Sequence, residues 1–172
     1  MQTTTLDRLA SSLSAIAAGF AGLTCLGCAG LILLEILLRN VFSTSTHVAV
    51  EFVGYGVAAM IVLGMGQAFE RGAMIRVTLM LGRLDGSGAV RRVLECAVGT
   101  VTLAIVSIVI WFFAISAHRN FVRGYRSESM AEVPLWIPEG IFCIGLAVFW
   151  LQLVAYLLRV ARGGGMVGGG GE

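Results

Sequence analysis

Apolar positions along this chain do not alternate with polar ones; they run on. Four stretches, residues 12–38, 48–69, 93–117 and 135–158, carry little charge and are separated by polar clusters. Roughly 20 helical residues, each rising about 1.5 Å, cross the hydrocarbon core of a bilayer. Each stretch can therefore span once, and the first has length to spare for a tilt. Backbone groups in lipid must be satisfied within a helix or a closed barrel, and runs this long without two-residue alternation fit helices. The pattern predicts an all-α integral membrane protein with four transmembrane helices.

Composition agrees. Of 172 residues, 58% are hydrophobic and 13% charged, and the mean hydropathy is +0.91; a soluble domain has roughly 45–50% and about 25%. The net charge is only +2, and the basic residues, all arginine, are spread over several connections. No basic arm or stripe points to nucleic acid, so the expected partners are lipid and protein. The first apolar run far exceeds a signal-peptide core and only Arg8 precedes it, which predicts a retained anchor. Residues 1–162 read as a single membrane domain and the glycine-rich tail 163–172 as flexible, with almost nothing to bury. The longest polar-rich connection runs only from Glu70 to Arg92, too short for a soluble domain. Within it, Ala73–Leu84 reads as a short interfacial segment, helical or extended.

Arginine placement predicts the orientation. Arg8, Arg71, Arg76, Arg83, Arg91, Arg92, Arg159 and Arg162 fall on one side, and Arg39, Arg119, Arg123 and Arg126 on the other. Both termini are accordingly expected in the cytoplasm.

Few residues could carry chemistry. Cys25 and Cys28 form a CxxC within the first span, with Cys96 and Cys143 isolated on other spans. No charged group stands near to stabilise thiolates, so packing explains them better than metal or redox work. Ala18, Gly22, Cys25 and Ala29 recur at helical spacing and predict a narrow face for close helix approach, as do Gly54 and Ala58 on the second span. His47 and His118 lie at the outer ends of the second and third spans. Together they would hold one b-type haem, which makes a cytochrome-like membrane anchor the alternative function; hydrated interfacial histidines are the simpler account. No GxSxG, HExxH or Walker loop is present, so nothing speaks for an enzyme or a cofactor.

Ionisable residues at span rims carry more information, because burial is costly unless they pair or reach water. Glu35 and Arg39 stand four residues apart with the acid first, the favourable order on a helix, and the turn that follows returns Glu51 to the same level. A three-membered charge cluster is expected there, against the simpler picture of separate snorkelling side chains. Arg119, Arg123 and Arg126 follow the third span at i, i+4 and i+7. If the helix continues past Ala117, they form one stripe for lipid phosphate or for a periplasmic partner. Glu128 and Glu132 temper its field.

Several motifs together carry a family resemblance over nearly the whole chain. They are Arg39-Asn40-Val41-Phe42, Glu51, Leu63-Gly64, Arg71-Gly72-Ala73-Met74-Ile75-Arg76-Val77, Pro134-Leu135-Trp136 and Pro138-Glu139-Gly140. In this order and spacing they resemble the small membrane subunit of tripartite ATP-independent periplasmic (TRAP) transporters. The chain departs from that pattern at Val48–Val50, where the family usually has an aromatic residue, and at Met74 and Thr78, often His and Asp. The resemblance implies a noncatalytic subunit in a bacterial inner membrane. It implies as partners a large multi-span subunit, holding the substrate and sodium sites, and a soluble periplasmic binding protein that delivers organic acids. Four helices with few buried charges offer no substrate path of their own, which fits a helper better than a carrier; a self-associating membrane protein is the remaining rival.

Overall fold

The computed structural model describes residues 5–71 and 88–161. Four helices account for nearly all of them: α1 (Thr5–Phe42), α2 (Ala49–Glu70), α3 (Gly88–Arg123) and α4 (Trp136–Ala161). Each contains a segment long and apolar enough to cross a membrane. The fold is all-α, and the helices extend beyond the apolar runs at most ends. α1, with 38 residues, is about 57 Å long at 1.5 Å per residue, well beyond a hydrocarbon thickness of about 30 Å. Arg76, Arg83, the Ala73–Leu84 segment and the tail from residue 163 lie outside the described residues.

The α1–α2 turn and the α3–α4 loop share one end of the bundle, here the loop end. At that end α4 starts where prolines permit: Pro134 precedes it and Pro138 lies in its first turn, where a missing N–H costs no helical bond. α4 is the central element. It packs against α1, α2 and α3, whereas α3 packs chiefly on α4.

Small residues set the spacing. A methyl group on Gly145 of α4 would lie 2.9 Å from the Val62 carbonyl carbon of α2, so the two backbones nearly touch. On Gly56 it would meet Cys28 Sγ of α1 at 2.3 Å. Phe149 and Leu153 fill the centre at 1% exposure, and Phe69 meets Phe149 edge-on with centroids 5.8 Å apart. Phe113 and Phe142 join α3 to α4 at 4.5 Å.

The small-residue faces differ from expectation. α1 turns Ala10, Ser14, Ala17, Ala21, Thr24 and Cys28 inward, while Gly22, Cys25 and Ala29 are exposed. On α2 the close approach is made by Gly56, not by Gly54 and Ala58, which are exposed. Small residues recur on several faces of α1, so spacing alone could not choose among them. The inward set is the one that also carries Ser14 and ends at Glu35.

Candidate functional site

The loop end concentrates the charged and polar contacts. Glu35, in the last two turns of α1, accepts from Arg39 Nε at 2.9 Å, from Thr46 N at 3.1 Å, from Thr46 Oγ1 at 2.6 Å and from Ser45 Oγ. One carboxylate thus closes the α1–α2 turn. The turn is tight: Ser43 (φ 50°) and His47 (φ 59°) both take left-handed backbone conformations, an unfavourable region for residues with a Cβ. The bonds from Ser45 and Thr46, between those two residues, hold it in place. His47 Nδ1 lies 2.8 Å from Ser45 O, which occupies one ring nitrogen.

Arg39 pairs with Glu35 yet keeps 62% of its side chain exposed. It borders an open depression with Ser43, Ser45, His47 and Val50.

Glu51 does not join this pair. It stands in the first turn of α2, where the helix dipole favours an acid, and accepts from Tyr55 Oη at 2.7 Å and from Ser129 Oγ. Ser127 Oγ in turn donates to Ser129 Oγ at 3.2 Å. The expected cluster of three is therefore two centres: Glu35–Arg39 closes the α1–α2 turn, and Glu51 fastens the α3–α4 loop to α2.

That loop is ordered by its own bonds. Ser127 N donates to Val133 O at 2.9 Å and Leu135 N to Tyr125 O at 3.2 Å, bracketing the Arg126–Pro134 bridge. Ala131 N donates to Ser129 Oγ at 3.2 Å, and Met130 at the tip is 82% exposed.

The three arginines are exposed at this end but do not share one helix. Gly124 (φ 63°) ends α3 in the left-handed conformation, so Arg119 and Arg123 lie on the helix and Arg126 lies in the loop. Arg126 pairs with Glu132 at 3.2 Å, and the Arg123 guanidinium sits 5.9 Å from the Tyr125 ring centroid.

One further polar centre has no counterpart in the sequence expectations. Glu139 in the first turn of α4 accepts from Ser116 Oγ and Asn120 Nδ2 of α3, each at 2.9 Å. Ser116 and Asn120 sit four apart where the apolar run of α3 gives way to polar residues, and both face Glu139; that spacing was the available signal. Just above them, Phe121 and Trp136 meet edge-to-face at 5.4 Å.

Among the described residues no three His, Cys, Asp or Glu side chains converge as metal ligands. His47 lies in the α1–α2 turn and His118 on α3.

The arrangement is that of a small polytopic membrane protein whose polar centres join helices and loops to one another. Residues 28–163 match the family model for tripartite ATP-independent periplasmic transporters, DctQ component. The chain belongs to that family and is a small TRAP transporter component, as the resemblance implied; the family is one of transporter components and not of enzymes. Comparison with curated proteins and with solved structures gives no match.

Proposed function

We propose that this chain scaffolds the large transport subunit of a TRAP transporter in a bacterial inner membrane, with both termini cytoplasmic. The complex takes up organic acids with sodium, fed by a periplasmic binding protein. The observation that carries the reading is the family match, which covers all of α2, α3 and α4. The helix surfaces are consistent with it. Only 6% of the apolar window of α1 and 11% of that of α3 are buried within the chain, leaving long apolar faces for lipid and a larger partner. Glu35, Arg39 and Glu51 serve assembly by shaping the loop end. Arg119, Arg123 and Arg126 meet the binding protein through a screened field.

The test is uptake in cells that lack this chain and carry the other two components. Binding-protein-dependent, sodium-dependent uptake of an organic acid should vanish without the chain and return with it. Unchanged uptake in its absence would refute the scaffold role.

A further inference from the structure

The α3–α4 loop presents an apolar side chain where lipid does not account for one. Most of the exposed apolar residues lie on the spans, where the bilayer covers them. Met130 stands instead at the tip of a polar loop, between the exposed Glu128 and Glu132. At 82% it is the most exposed large apolar side chain among the described residues. The next is Val50 at 80%, in the first turn of α2. Ser129 and Glu51, which share a hydrogen bond, are the chain neighbours of Met130 and Val50, so one contact fixes both residues at the loop end.

The tip is held, not loose. Ser129 Oγ, besides donating to Glu51, accepts from Ala131 N at 3.2 Å, and Glu132 N donates to Ser129 O at 3.1 Å. The Arg126–Pro134 bridge closes the base. Glu132 takes a left-handed conformation (φ 43°), which a residue with a Cβ adopts at a cost. A side chain carried on an ordered turn has less freedom to lose when a partner arrives, and such preorganisation favours binding. Methionine, unbranched and polarizable, adapts to irregular apolar pockets.

Charge and size choose the partner. Arg126 pairs with Glu132 and Glu128 is exposed, so residues 126–132 hold one acid in excess. An anionic lipid surface repels such a tip. One side chain and its surround offer on the order of a few hundred Å², against roughly 1,200–2,000 Å² in a stable complex. That area suits a soluble protein that docks and leaves, not a permanent subunit.

We infer that Met130 is the apolar anchor by which the periplasmic binding protein docks on this chain, a role that rests on the transporter reading. Arg119 and Arg123 act through the screened field on how fast that protein arrives, and Met130, buried on contact, sets how long it stays.

Biolayer interferometry tests this, with the whole membrane complex in nanodiscs and the substrate-loaded binding protein of the same transporter. Met130→Ser should raise the dissociation rate about tenfold, as truncating an interface anchor does, and leave the association rate and its salt dependence unchanged. Met130→Leu should dissociate like the parent. Because the side chain is exposed, both variants should retain the large subunit in full. A dissociation rate unchanged by Met130→Ser, with the parent binding normally, would overturn the inference and leave the transporter reading in place. Loss of the large subunit from the serine variant would set the tip against that subunit and overturn it too. A parent complex that recruits no binding protein would contradict the transporter reading itself, and the anchor with it.

Discussion

Glu51 and Ser129, 78 residues apart in the chain, are joined by a hydrogen bond from the serine hydroxyl to the carboxylate. The contact fastens the α3–α4 loop to the start of α2, two elements from different halves of the bundle. Without it, the loop retains only its internal bonds. Glu51→Ala should therefore raise amide exchange in residues 125–133 several-fold while leaving the centre of α4 protected, as local opening requires. Exchange mass spectrometry showing equal protection of the loop in both proteins would remove Glu51 from this role.

The Glu35 hub makes an ordering prediction. Glu35→Ala deprives Arg39, Ser45 and Thr46 of their shared acceptor at once, whereas Arg39→Ala removes one donor and leaves the others. The glutamate variant should accumulate less in the membrane and lose more of its large-subunit partner than the arginine variant. Equal recovery of the two, by quantitative blotting, would show that the ion pair matters and the turn bonds do not.

Much of this was legible in the residues themselves. The four spans follow from apolar runs that need no tertiary context, and the Glu35–Arg39 pair from a local i, i+4 spacing. The loop partner of Glu51 was hidden because Ser129 lies 78 residues away in the chain. Arg126 left the expected stripe because Gly124 ends α3 before it, a signal that a helix-stop reading of glycine supplies. The inward face of α1 and the centrality of α4 were not legible, since small residues occur on many faces and helix pairing depends on which of them meet.

Close packing gives a third prediction. Gly145→Ala places a methyl group against the Val62 backbone and should destabilise by about 1–3 kcal/mol. Gly54→Ala, with nothing within 4 Å, should be neutral or stabilise by up to about 1 kcal/mol. At Gly56 the obstacle is a side-chain sulfur, so Cys28→Ala should largely rescue Gly56→Ala, a coupling that melting midpoints of the double-mutant cycle will reveal. Additive midpoints would place the two residues apart.

The arginines divide by surroundings. Arg126 is already paired with Glu132, so reversing Arg119 and Arg123 should have the larger effect on a soluble partner. Charge reversal at both should raise the binding-protein concentration for half-maximal uptake and blunt its salt dependence, with the membrane complex intact. Normal transport at every salt and binding-protein concentration would assign these arginines to lipid headgroups instead.

Orientation is tested at the same end. In a variant lacking native thiols, Ser127→Cys should react with a membrane-impermeant reagent added outside intact cells. Protection until the cells are opened would reverse the topology.

The central claim is that this chain works as one component of a TRAP transporter, and gentle extraction of a tagged chain from its native membrane tests it most directly. Affinity purification followed by mass spectrometry should recover a large polytopic membrane subunit in stoichiometric amount. Recovery of this chain alone, or only with further copies of itself, would contradict the account.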